Sequence, residues 1–283
     1  MSAVWLSLVA AATYGLSDFV GGSVSRRTSA WAVALTAQVG ALVVVLVLAA
    51  TAGGRPDGTD LAWGLLAGVG NGTGAAFLYR GLGSGRMGVV APVSGVGAVA
   101  LPVVVGLLLG ERPGPLVWTG LLAAVPAIWL VTREPGGTGG AEAAAAPTAA
   151  GLRDGALAGL GFGTLFVALS RVTPEAGFWP LALNQAVAVL VVLAVATALR
   201  ASWVPPRACV PLGLTAGVLA AASTAVFLLA TRTGYLAVTA VITSLYPAFT
   251  VVLAALALRE PVHRVQGVGL GLCAVAVVLV ALG

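Results

Sequence analysis

Lysine is absent from this 283-residue sequence, histidine occurs once, cysteine occurs twice, and charged residues make up only 8% of the chain. Each scarcity removes a class of function. An enzyme needs a nucleophile with its base, or clustered metal ligands. His263 is the sole histidine, and there is no HExxH pattern and no glycine-rich phosphate loop. The chain therefore reads as not an enzyme, with no cofactor and no metal, and a nucleotide-driven pump fails on the same grounds. Cys209 and Cys273 lie in apolar runs without metal-ligand spacing or a secretory disulfide pattern. A net charge of +5 would suit nucleic acid, but all 14 basic residues are arginines, set singly or in pairs at the ends of apolar runs. That is how membrane-flanking charge is placed, so nucleic acid is not a partner.

What fills the chain instead is apolar: 59% hydrophobic with a mean hydropathy of +1.06, where ordinary soluble domains carry about 25% charged residues. A membrane span needs about 20 apolar residues. Breaking the hydropathy at charges and Pro/Gly clusters gives ten spans, at 3–22, 31–52, 61–82, 86–109, 115–132, 155–172, 178–199, 209–231, 235–258 and 264–282. The expected fold class is an all-α, multi-pass protein of the cell inner (plasma) membrane, with the lipid bilayer as its partner. "MSAVWLSLVAAA" lacks the basic start of a signal peptide and reads as a retained first span. Most of the seven tryptophans flank spans, as interfacial belts do.

The halves repeat. "GLLAGV" at 64–69 and "GLTAGV" at 213–218 lie 149 positions apart, and the same offset joins Gly85 to Gly234, Ala91 to Ala240, Glu111 to Glu260 and Gly120 to Gly269. In the second and seventh spans the offset is 147, from "AQ" at 37–38 to "NQ" at 184–185. Residues 133–153, rich in Gly, Ala and Pro, read as a linker between a first five-helix repeat at 1–132 and a second at 154–283. Five spans per repeat force the second copy into the membrane from the opposite side, an inverted repeat typical of secondary transporters. Glycines four apart, at Gly64, Gly68, Gly72 and at Gly155, Gly159, Gly163, allow close helix packing or smooth sliding.

Two five-span repeats in a chain of this size, each with Glu closing its fourth span ("LLLGERP" at 107–113, "LALREP" at 256–261), resemble the EamA family of the drug/metabolite transporter superfamily. "YGLSDFVGG" at 14–22 also looks like the first-span signature of a bacterial subgroup of that family. The resemblance implies a transporter, with relatives that export amino acids, other metabolites or drugs and some that import sugars. It also implies cytoplasmic termini. Counting arginines by the positive-inside rule places both termini outside, and Arg80, Arg86 and Arg259, if they line a cavity, weaken that count.

Several polar groups are candidates for substrate binding. Tyr14, Ser17, Asp18 and Gly21 share one face of the first span. A carboxylate at membrane depth needs a cavity, a partner or a function. Asp18 either looks into the bundle, where it can take up a proton, or pairs at the interface with Arg26 or Arg27. Gln38, Asn184 and Gln185 occupy matching places in the repeats and either bind a zwitterion or join helices. Asn71, Tyr79 and Arg80 lie along the third span; Arg80 either grips a substrate carboxylate or snorkels to lipid phosphate. In the ninth span Thr239, Thr243, Tyr246 and Thr250 form a hydroxyl stripe beside Pro247, which denies the Thr243 carbonyl its hydrogen bond. Pro92 and Pro102 are expected to act likewise in the fourth span. Broken helices in matching places point to a transport site, whereas threonines can instead bond their own helix. Glu111 and Glu260 read as cap-and-anchor charges.

The expected function is secondary transport of a small organic solute, as an exporter of an amino acid or similar metabolite, by alternating access with proton or exchange coupling. The alternatives are a sugar importer of the same superfamily and a non-transporting membrane scaffold.

Overall fold

Backbone amides buried in hydrocarbon must be satisfied within their own segment, so long runs of Ala, Leu and Val in a membrane become helices. The computed structural model describes residues 2–25, 27–83, 87–132, 149–257, 259 and 262–282, and among them no strand occurs. The helices are α1 (Ser2–Ser25), α2 (Ala30–Ala52), α3 (Gly58–Gly83), α4 (Met87–Leu108), α5 (Pro115–Val131), α6 (Ala149–Ser170), α7 (Trp179–Ala198), α8 (Val210–Thr231), α9 (Leu236–Thr243), α10 (Tyr246–Ala257) and α11 (Arg264–Leu282). Eight segments are long and apolar enough to cross a membrane, with α9 and α10 forming one span, Leu236–Ala257; Val93–Leu108 of α4 and Pro115–Val131 of α5 are shorter apolar helices. Ten membrane helices result.

Local chemistry sets the ends. Asp57 and Asp60 form a reciprocal cap at the start of α3: the Asp60 amide donates to Asp57 Oδ1 at 2.7 Å and the Asp57 amide to Asp60 Oδ2 at 3.2 Å. Asp60 also accepts from the Thr173 amide at 2.9 Å and the Thr173 hydroxyl at 3.0 Å, tying α3 to the loop after α6.

Two expectations change. Helix α6 begins at Ala149, so residues 149–153, read as linker, are helical; their Ala-rich composition looked like low complexity but is also strongly helix-forming. The fourth span is not broken: α4 runs unbroken through Pro92 and Pro102. Among the described residues only the ninth span breaks, between Thr243 and Tyr246. There the Leu245 amide turns back to the Ile242 carbonyl at 3.1 Å, and Pro247 falls in the first turn of α10, where its missing N–H costs nothing.

The halves are related by a two-fold axis that inverts one upon the other. A Cβ on Gly120 of α5 would lie 2.6 Å from Val280 of α11, and one on Gly269 of α11 would lie 2.7 Å from Val131 of α5. Gly120 and Gly269 are 149 positions apart, as are Val131 and Val280. The contact is thus made twice, and the two helices run antiparallel. The same exchange places Gly68 of α3 against the Asn184 carbonyl of α7, and Gly217 of α8 against the Ala37 carbonyl of α2. Helix α3 lies along α6 and α7 as α8 lies along α1 and α2. The glycine series at 64, 68 and 72 faces Pro180, Asn184 and Val191 of α7, while Gly155, Gly159 and Gly163 face Val93, Gly97 and Leu101 of α4, so both series serve close packing.

Candidate functional site

The break in the ninth span meets the middle of α1. Gly15 lets α10 approach so closely that a Cβ there would sit 2.5 Å from Phe249 and 2.7 Å from the Tyr246 carbonyl. The Thr250 hydroxyl donates to the Gly15 carbonyl at 3.1 Å. This contact sets Tyr14 beside Tyr246, ring centroids 5.5 Å apart and tilted by 37°. One turn further along α1, on the same face, stands Asp18.

Asp18 is exposed, and its charge acts on Tyr14, on Tyr79 of α3 and on Tyr246 of α10. Thr224 of α8 lies beside the Tyr14 hydroxyl. Helix α1 packs on α8, α9 and α10, whereas α3 packs on α6 and α7. Asp18 and Tyr79 thus come from helices with different packing partners. Among the described residues no cation stands within ion-pair distance of Asp18. Arg27, one of its expected interfacial partners, is exposed, and Arg26 lies outside the described residues.

A second polar group joins α2, α3 and α7. Asn71 Nδ2 donates to Asn184 Oδ1 at 3.4 Å and to Gln185 Oε1 at 3.2 Å, and Asn71 Oδ1 accepts from Gln38 Nε2 at 3.5 Å. The matching amides of the repeats thus meet through an asparagine that the sequence had grouped with Tyr79 and Arg80. The Ser17 hydroxyl donates to the Ala216 carbonyl at 2.8 Å, and the next residue, Gly217, packs on Ala37. This chain of contacts sets Gln38 near the level of Ser17 and Asp18.

Other candidates go elsewhere. Ser17 is buried and joins α1 to α8. Arg80 lies near an acid: its Nε is 3.7 Å from Asp154 Oδ2, and its guanidinium is 5.9 Å from the Phe77 ring. Asp154 is fully buried in α6. It escaped notice because the sixth span was taken to begin one residue later, with the neighbouring Arg153 as its flank; a helix beginning in the alanine run would have placed it inside. Of the hydroxyl stripe, Thr239 donates to the carbonyls of Tyr235 and Leu236, and Thr250 to those of Gly15 and Tyr246. Thr243 is fully buried at the break and its hydroxyl has no partner, as is also true of Ser244 Oγ. Glu111 caps a helix of the other half: its carboxylate accepts from the amides of Leu236 and Ala237 at the start of α9.

The model of the EamA-like transporter family matches residues 1–133 and 154–282, nearly the whole chain. The chain belongs to the EamA-like transporter family. A solved structure described only as the crystal structure of a protein shares the fold, with a TM-score of 0.76 at 17% identity over 99% of this chain and 96% of that one. No curated protein matches. In this EamA-like chain, then, a membrane transporter of small molecules, the break of the ninth span, the exposed acid of α1 and the three tyrosines form one place inside the ten-helix bundle.

Proposed function

We propose that this EamA-like protein is a secondary transporter of the cytoplasmic membrane that exports a small nitrogen-containing metabolite, an amino acid or related compound, by alternating access in exchange for protons. The single observation that carries the reading is Asp18, an exposed acid within the first span whose charge acts on Tyr14, Tyr79 and Tyr246, near the break of the ninth span. An acid at membrane depth with no cationic partner among the described residues is costly unless the function uses it. A carboxylate that holds either a proton or an ammonium group, but not both, couples the two flows in opposite directions. The two-fold relation of the halves supplies the frame on which one group of helices rocks against the other.

Replacing Asp18 with Asn keeps size and hydrogen bonding but removes the titration. In proteoliposomes Asp18→Asn is expected to abolish solute movement driven by a pH gradient, while solute exchange at saturating concentration stays measurable. Gradient-driven movement at the native rate would refute the coupling role. A scaffold with a transporter fold would show neither flux nor solute-dependent protection from thermal unfolding.

A further inference from the structure

We propose that Glu111 latches one end of the bundle shut: its carboxylate ties α4, in one rocking group of helices, to α9 in the other, and lets go of α9 when that end opens. The inference rests on the alternating-access reading above and assigns the gate at one end.

Close packing sorts the helices into the two groups. A Cβ on Gly155 would lie 2.7 Å from Val93 and one on Gly97 would lie 2.9 Å from Gly159, which locks α4 to α6. A Cβ on Gly70 would lie 2.6 Å from the Gly161 carbonyl, which locks α3 to α6. In the other group the Ser17 hydroxyl donates to the Ala216 carbonyl at 2.8 Å and the Ser223 hydroxyl to the Ala10 carbonyl at 2.6 Å, fastening α1 to α8. Gly15 admits α10, and Gly234, just before α9, packs on Ala3, so α9 and α10 go with α1. The set α3, α4 and α6 is thus the two-fold counterpart of the set α8, α9 with α10, and α1.

Glu111 is built into the first set. Helix α4 ends in a Schellman turn: the Glu111 amide donates to the Gly106 carbonyl at 3.0 Å, the Gly110 amide to the Leu107 carbonyl at 3.0 Å, and Gly110 takes a φ of 91°. The turn folds the Glu111 carboxylate back against α4, into space that Gly106 leaves by having no Cβ. From there it accepts from the Leu236 amide and, at 3.0 Å, from the Ala237 amide of the second set. Both donors are buried. Phe166 of α6 also meets Phe227 of α8, with ring centroids 4.6 Å apart, but apolar contact is non-directional and tolerates a small slide. Charge-assisted bonds to two buried amides are either made or broken. The latched end is the one where α1 begins, since Ala3 lies beside Gly234. Exposed Asp18 stands about 22 Å along α1 from Ala3 at the helical rise per residue. One end is tied shut while the acid, well toward the other, is exposed.

The test uses the purified full chain in detergent, with Cys209→Ser and Cys273→Ala and one reporter cysteine at a time: Ala237→Cys, buried behind the latch, or Asp18→Cys. A charged methanethiosulfonate reagent labels each, well below the unfolding midpoint of every variant. Glu111→Ala is expected to speed labelling at position 237 by about tenfold and to slow it at position 18 by about threefold. Glu111→Gln, which keeps one acceptor oxygen, should move both in the same directions by less. Opposite signs separate a latch from a prop, because a bundle merely loosened labels faster at both places. Faster labelling at both positions, or no change at either one, overturns the latch. Counterflow by the native chain in proteoliposomes reads the transport reading separately. Where counterflow is present, such labelling overturns the latch alone; absence of counterflow with amino acids, amines and sugars overturns both.

Discussion

Replacing Glu111 with Ala tests how far one half of the chain depends on the other. The Glu111 carboxylate accepts from the Leu236 amide and, at 3.0 Å, from the Ala237 amide. Both residues are buried, at 5% and 0% exposure, so water cannot replace the lost acceptor. Each buried donor left without a partner costs about 1–3 kcal/mol, and loss of a negative charge at a helix start adds about 0.3–1 kcal/mol. Such terms overlap, and a net loss of about 3 kcal/mol is the working figure. At about 2–4 °C per kcal/mol for large chains, the unfolding midpoint should fall by about 6–12 °C. Glu111→Gln keeps one acceptor oxygen and should lose about half as much. Glu175, whose side chain is exposed, serves as the control, with Glu175→Ala expected to change stability by no more than about 0.5 kcal/mol. Thermal unfolding followed by tryptophan fluorescence in detergent reads all three. A Glu111→Ala midpoint level with that of Glu175→Ala would refute the cap as a stabilising link between halves.

Close packing can be probed at Gly161, where an added Cβ would lie 2.5 Å from the Gly74 amide nitrogen and 2.6 Å from the Gly70 carbonyl. Gly161→Ala should destabilise by about 1–3 kcal/mol, whereas Gly22→Ala, with nothing within 4 Å, should be neutral or stabilising by about 0.5–1 kcal/mol; paired unfolding midpoints check the contrast. Asn71→Leu strips the partners from Gln38, Asn184 and Gln185 and should lower stability by about 2 kcal/mol, visible as a lower midpoint than that of Gln38→Leu, which removes a single bond at the edge of the group.

The ten spans and the two-fold frame were legible in the sequence because hydropathy and a constant offset are properties of the chain alone. Asp18 was legible for the same reason, as an acid in an apolar run. Partners were not. Spacing placed Thr239 and Thr250 on one face with Thr243 and Tyr246 but did not reveal that the first two hydroxyls bond backbone carbonyls. The nearness of Arg80 to Asp154 was not legible because Asp154 belongs to the other half and sat beside an apparent linker. Glu111 read correctly as a cap charge, yet the helix it caps lies more than a hundred residues downstream. Pro247 gave the place of the break, while Pro92 and Pro102 show that a proline alone does not break a packed helix.

The contact between α5 and α11 is one that a five-helix unit can make with a copy of itself. Gly120 meets Val280 as Gly269 meets Val131, so a single surface supplies both sides of the seam. A chain half this length, inserted into the membrane in both orientations, would already possess this seam, and doubling such a chain within one gene would preserve it. Fusion then frees each copy from having to serve in both places. That freedom is visible at the centre: Phe166 occupies the position equivalent to Asp18, and unbroken α4 is the counterpart of the broken pair α9 and α10. Symmetry persists where the copies hold each other, and divergence has collected around Asp18 and the break of the ninth span.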